Sequence, residues 1–442
     1  MEVFEIEGGK RLKGEIVVSG SKNATTPILA ATLLTRDTSV LSNIPRIEDV
    51  FRMLEILQSM GAKVEWRGKH TVAVTARDID PKKMDVEAVK KIRSSILLLG
   101  SLSARFDQFS LYQPGGCVIG ARPVDTHMDA LTKLGVSIRR NQKSYTVNAK
   151  KRKPAQVVLK EFSVTGTENA MMLAARMPGK TVIKIAAAEP HVEDLGKFLI
   201  AMGAKIKGLG THTLEITGSE SLHGAKHTVI PDHNEAATFL ILGAATGSTL
   251  TVKNARAEHL DLVLEKLREF GVDLRVEKNA ITVLPAKALT AVGKLETRTY
   301  PGIPTDVQAP FGILATQAAG DTFIFDTLFE GRFNYVPELE KMGGKAKVLN
   351  THQVVVSGKT KLHGTVIKSY DLRAGAALII AALAASGKTI IEDIYQVDRG
   401  YERIEERLKK IGAQIKRVES LPNEVSETRE SSRFRTSEGI KG

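Results

Sequence analysis

The stretch VFRMLEILQSMGAKV, from Val50 to Val64, decides how this chain folds. Val50, Met53, Leu54 and Leu57 fall on one face at helical spacing, so the first eleven residues read as an amphipathic helix. Gly61 then stops it, because glycine enters positive φ without a Cβ clash, and AKV opens a strand. The same phrase returns as LGVSI, MGAKI, FGVDL, MGGKA and IGAQI around Gly135, Gly203, Gly271, Gly343 and Gly412. A period of about 70 residues is too long for the common solenoids and suits a compact α/β unit.

A second phrase recurs in register with the first. An apolar helix runs into a short turn and a β-branched strand in LLTRDTSVL, ARMPGKTVI, AATGSTLTV, QAAGDTFIF and AASGKTII, with LSARFDQFSL as a looser copy. Each unit therefore reads strand, buried helix, strand, amphipathic helix and a hairpin pair such as AKVEW and TVAVTA. Six units imply two similar α/β halves of three units each. The repeat also removes a false lead. Gly-Lys-Thr at Gly179, Gly358 and Gly387 resembles the end of a phosphate-binding loop, but Ala174, Gln353 and Ala382 stand where that loop needs glycine.

Over 442 residues, 42% hydrophobic and 26% charged composition describes a globular chain with a large core. No apolar run reaches membrane-span length, and MEVFEIEGGKRLKGE lacks a secretory layout, so the expected compartment is the cytoplasm. The excess of 63 basic over 50 acidic residues attracts anions, from nucleic acid to small phosphates. Aromatics at 5%, with no recognition motif, argue against nucleic acid. The tail after Val418 is polar and aperiodic and reads as disordered.

Cys117, the one cysteine, sits in PGGCVIGARP (Pro114–Pro123), with glycines on both sides and Arg122 close by. Glycines let backbone approach a ligand, and a guanidinium favours thiolate, so the loop reads as one that exposes a sulfur for chemistry. A small apolar cysteine packed in a tight turn is the other reading. His223 and His227 share a helical spacing without a third ligand, and no metal site is expected.

PGGCVIGARPVD, together with SGSKNA at Ser19, IPTDVQA at Ile303, GRFNYVPEL at Gly331, DLRAGA at Asp371 and VDRGYERI at Val397, resembles the UDP-N-acetylglucosamine 1-carboxyvinyltransferase family of enolpyruvyl transferases. The resemblance runs from the N-terminus to about Val418. It implies two inside-out α/β barrels, one of residues 1–21 plus 232–442 and the other of 22–231. It also implies a reaction between phosphoenolpyruvate and the 3′-hydroxyl of UDP-N-acetylglucosamine, with no metal, organic cofactor, nucleic acid, membrane or obligate protein partner.

Carried over residue by residue, the resemblance makes Asp306 the base beside the sugar hydroxyl. Cys117 becomes the acid that protonates the enol carbon and the thiol alkylated by fosfomycin. Lys22, Arg122 and Arg399 surround phosphoenolpyruvate, with Asn23 and Arg373 as further contacts and Arg332 as an additional candidate. The nucleotide sugar falls to Asn23, Arg93, Arg122, Pro123, Val124, Asp125 and Thr126, to Glu161, Phe162, Ser163 and Val164, and to Asp306 and Leu328. Read on the residues alone, Asp306 is equally a helix cap after Pro304, and each isolated Lys or Arg a solvated cation. Glu189 and Asp194 are read as architectural.

Two stretches depart from the family pattern. Thr165-Gly166-Thr167 carries its glycine one position late, and His233 and Ala236-Ala237 stand where the family has Arg and Thr-Gly. Two alternatives remain open: a transferase of the same fold acting on shikimate 3-phosphate, and a non-catalytic homologue that binds polyanions. Cys117 beside ARPVD favours the nucleotide sugar over the first, and the presence of Lys22, Asp306 and Cys117 disfavours the second.

Overall fold

The buried helix Gln308–Gln317 shows how one repeat is assembled. Strand Lys294–Thr297 leads into it, and strand Gly320–Asp326 leaves it to lie parallel to the first. Helix Val336–Lys341 follows, and the hairpin Lys345–Asn350 and Gln353–Gly358 completes the sheet, its second strand antiparallel to Gly320–Asp326. A computed structural model describes residues 2–115 and 124–419, and within them the plan gives five four-stranded sheets and one of three strands. The looser copy in the sequence is the smaller sheet, Gln108–Tyr112 with Ser137–Arg140 and Ser144–Asn148. Ahead of it the chain forms the short turns and helices Pro81–Lys83, Val86–Lys91 and Arg93–Leu97 instead of a leading strand.

Helices fill the centre and sheets face outward, because the linking helices are apolar all round and have to be covered on every side. His233–Ala245, Gln308–Gln317 and Leu372–Ala384 pack on one another. In the other half Leu98–Arg105 packs on Lys22–Ala31 and on Val164–Ala175. The apolar core accordingly splits in two. One cluster runs from Ala24 to Ile230, and the other joins Phe4–Val18 to side chains from Ala236 to Ile415.

The ends of the repeats are traded in a way the pattern did not foretell. Lys226–Thr228 is the last strand of its half in sequence, yet it supplies the parallel first strand beside Thr38–Ser42. Glu2–Glu7 inserts between Lys388–Glu392 and Gln414–Glu419, completing a unit whose own hairpin lacks a second strand. Unpaired backbone on a buried strand is costly, so each gap recruits a strand from a distant part of the chain.

The six repeat glycines behave as the sequence predicts. Gly61, Gly135, Gly203, Gly271, Gly343 and Gly412 all hold φ between 83° and 112° at helix ends that open into strands. The Gly-Lys-Thr triplets are turns and strand ends: Gly179 begins a strand, Gly358 closes one, and Gly387 lies just before Lys388–Glu392. No helix among the described residues is long and apolar enough to cross a membrane.

Candidate active site

Repetition builds the site. Each central helix starts at one cavity of about 450 Å³, which both core clusters line. Lys22 and Asn23 open Lys22–Ala31, Arg93 opens the turn before Leu98–Arg105, and Val164 opens Val164–Ala175. From the other half His233 opens His233–Ala245, Asp306 sits in the turn before Gln308–Gln317, and Arg373 is the second residue of Leu372–Ala384. Helix N-termini carry partial positive charge and unsatisfied N–H groups, so six of them around one cavity make it attractive to anions even before side chains are counted.

Basic side chains gather there as well, beside carboxylates such as Asp306 and Asp49. Arg332, Arg373 and Arg399 are each no more than 7% exposed, and Lys22 and Arg93 line the same space. Asp306 lies within the cationic cluster. Its Oδ1 accepts from Arg332 at 2.7 Å, and its Oδ2 accepts from Nε of Arg373 at 3.1 Å. It does not cap its helix: the cap position is Pro304, with no side-chain bond. Burial pushes this carboxyl up, but Arg373, Arg332 and Lys22 overturn that and hold it far below the usual carboxylate range. A carboxylate so clamped is a weak base until something draws its arginines away. Arg373 is itself fixed by Tyr401, whose hydroxyl accepts from Nη1 of Arg373 at 3.2 Å and lies 3.0 Å from Thr238 Oγ1.

Of the residues carried over from the resemblance, Lys22, Asn23, Arg93, Glu161, Phe162, Ser163, Val164, Asp306, Leu328, Arg332, Arg373 and Arg399 all line the cavity. Thr126 stands behind it and donates to Glu161 Oε1 at 2.8 Å. Val124 is buried and Asp125 exposed, neither on the cavity wall. Cys117, Arg122 and Pro123 lie outside the described residues, as does the tail from 420 onward. The late glycine has a local cause: Ser163 caps its helix by accepting from the Gly166 N–H at 3.2 Å, and a Cβ on Gly166 would meet Ser163 Oγ at 2.8 Å.

Sequence reasoning assigned no function to a second wall, built of buried acids and histidines. Glu168 is 1% exposed with Oε1 unpartnered, and burial, reinforced by Glu189, raises its carboxyl well above normal. Glu189, read as architectural, lines the cavity with it, and burial raises it too. Beside them His191 and His233, one from each half, stack with ring centroids 5.9 Å apart. Burial, with His233 next, pulls His191 down to about 3. An acid inside the otherwise apolar helix VTGTENAMMLAA was the available signal for Glu168. Asp194 is architectural in fact, accepting from His227 at 3.0 Å and from the Ile230 N–H at 3.1 Å. No group of side chains that could hold a metal occurs among the described residues.

Two repeated α/β halves thus aim their central helices at one cleft in which Lys22, Arg332, Arg373 and Arg399 gather. The family profile described as EPSP synthase (3-phosphoshikimate 1-carboxyvinyltransferase) matches residues 6–408. The chain belongs to this carboxyvinyltransferase family. It is 44% identical over 430 residues to the UDP-N-acetylglucosamine 1-carboxyvinyltransferase of Koribacter versatilis, covering 96% of this chain and 99% of that one. It is 43% identical over 419 residues to the enzyme of the same name from Dichelobacter nodosus, covering 95% and 100%. Among solved structures, the enolpyruvyl transferase NikO from Streptomyces tendae superposes with a TM-score of 0.86 at 28% identity, over 95% of this chain and 99% of that one. The EPSP synthase of Acinetobacter baumannii shares the fold at a TM-score of 0.71 and 20% identity, over 95% and 100%.

Proposed function

We propose that this protein transfers the enolpyruvyl group of phosphoenolpyruvate to the 3′-hydroxyl of UDP-N-acetylglucosamine, releasing phosphate, as the first committed step of peptidoglycan synthesis in the cytoplasm. The observation that carries the reading is the meeting of Lys22, Asn23, Asp306, Arg373 and Arg399 in one cavity, in a chain 40–44% identical to relatives of that name over nearly its whole length. Residues 1–21 with 232–442 act as one domain and 22–231 as the other, closing on the substrates between them.

Lys22, Arg399 and Arg373, with Arg122, hold the phosphate and carboxylate of phosphoenolpyruvate, since guanidinium pairs suit planar oxyanions. Asn23, Arg93, Arg122, Pro123, Val124, Asp125, Thr126, Glu161, Phe162, Ser163, Val164 and Leu328 hold the nucleotide sugar. Asp306 takes the proton of the 3′-hydroxyl as its oxygen adds to C2 of the enol, and Cys117 gives a proton to C3. A proton then leaves C3, the C2–O bond to phosphate breaks, and the double bond re-forms. The Asp306 clamp fits this sequence, because substrate anions compete for Arg332 and Arg373 and so restore basicity to Asp306 only once the cleft is loaded.

The deciding experiment measures phosphate release from phosphoenolpyruvate with UDP-N-acetylglucosamine and, separately, with shikimate 3-phosphate. Release with the nucleotide sugar alone is expected. Release with shikimate 3-phosphate alone would replace this reading by the other activity of the fold.

A further inference from the structure

Asp49 was passed over in the sequence because an acid in the first turn of an amphipathic helix is unremarkable there. Its surroundings are not those of a helix-end charge. Glu48–Ser59 has Ile47 at its cap position with no side-chain bond, and Asp49 turns inward, 3% exposed, onto the cavity wall. Both carboxylate oxygens are committed to cations. Oδ2 accepts from the Lys22 ammonium at 3.3 Å, and Oδ1 accepts from Arg399 Nε at 3.0 Å. Lys22 belongs with the Ala24–Ile230 cluster and Arg399 with the Phe4–Ile415 cluster, so this one carboxylate ties together cations from the two halves.

We propose that Asp49 is a positioning residue for phosphoenolpyruvate: it sets Lys22 and Arg399, one from each half, at the spacing the substrate anion needs. The inference rests on the proposed function for the identity of that anion. The charge balance supports positioning over simple neutralisation. One carboxylate against two cations leaves the cluster positive, and an ammonium with one donor engaged keeps two for a ligand. A buried carboxylate is costly to desolvate unless it is fully paired, so Asp49 persists only while both cations stay in place, and each in turn is immobilised by it. Preorganised charges stabilise a developing anion without reorganising at the moment of reaction.

Asp49→Asn keeps the shape but accepts through one oxygen and presents an NH2 to the other cation, releasing it. The test compares wild type, Asp49→Asn and Asp49→Glu by calorimetric titration with phosphoenolpyruvate and with UDP-N-acetylglucosamine, and by steady-state phosphate release. The asparagine variant is expected to bind phosphoenolpyruvate on the order of tenfold more weakly and to lose kcat, with affinity for the nucleotide sugar unchanged. Asp49→Glu should recover part of both losses. Equal or tighter phosphoenolpyruvate binding by the asparagine variant would overturn the proposal, as would a parallel loss of nucleotide-sugar binding, which marks a merely structural role. Wild type that binds phosphoenolpyruvate but releases no phosphate with UDP-N-acetylglucosamine would sink the proposed function and leave the Asp49 comparison to be decided by the titrations. Wild type that fails to bind phosphoenolpyruvate overturns both.

Discussion

Two carboxylates in this cleft each meet two cations, and the sources of those cations differ. Asp306 is held by Arg332 and Arg373, which all belong to the half built on the Phe4–Ile415 core. Asp49 is held by Lys22 from one half and Arg399 from the other. The first clamp survives any relative movement of the halves, so its effect is chemical: it sets how basic the carboxylate is. The second exists only while the halves touch, so its effect is geometric. The same three-charge motif thus serves basicity in one place and registration in another, according to which side of the cleft supplies the partners.

Breaking the first clamp at its centre should cost most. Asp306→Asn removes the proposed base while keeping the shape, and turnover is expected to fall on the order of 10³-fold, within the usual range for a general base. Phosphate release under saturating substrates measures it, and near-normal turnover would return Asp306 to a structural role. Next come the cations of the second clamp. Lys22→Ala and Arg399→Ala should each lower kcat/KM by about 10²-fold with circular dichroism unchanged, the typical effect of removing one preorganised charge. A variant that keeps wild-type kinetics would show its cation to be a bystander.

A subtler change sharpens the contrast. Arg332→Gln removes one of the cations that hold the Asp306 carboxyl down, so its pKa should rise and the acid limb of the kcat profile, which reports the loaded cleft, should move to higher pH. Asp49→Asn, which leaves Arg332 and Arg373 in place, should leave that limb where it is. A shift in both variants would mean that the two clamps form one coupled network.

The smallest effects concern the neutral contacts near the cleft. His191, stacked across the halves on His233, is held at about 3, and burial, followed by the charge of Arg93, holds His127 at about 4. Both folded values lie below the ordinary imidazole value, so the unfolded chain takes up protons first as pH falls through about 6.5, and stability declines from there. Between pH 7 and pH 5 the loss is about 2 kcal/mol for each. Urea unfolding at the two pH values measures it. His191→Phe should remove about half of the loss that the two histidines cause, and an unchanged pH dependence would show that His191 titrates normally in the folded protein.

Much of the fold was legible because its signals are local. A glycine that must take positive φ, an apolar stripe of period 3.6 and a β-branched strand leave their mark within some fifteen residues, and six copies of Gly61's phrase make that mark unambiguous. The candidate residues at helix starts, Lys22, Asn23, Arg373 and Ser163, could likewise be found as motifs. Glu168 left a weaker trace, as an acid within an apolar helix, and its raised pKa depends on burial that no local pattern reports.

What the sequence determined by itself is the unit: where each helix begins and ends, which helices are apolar enough to need covering, and hence six repeats in two halves. Only the tertiary structure decided that all six helix starts face one cavity and that Glu2–Glu7 completes the last sheet. It alone decided that Asp49 meets an arginine 350 residues away. The reason is physical: local propensity and periodicity shape elements through contacts a few residues apart, whereas the pairing of Asp49 with Arg399 arises when two separately packed cores come together, and neither residue's sequence neighbours carry any trace of that encounter.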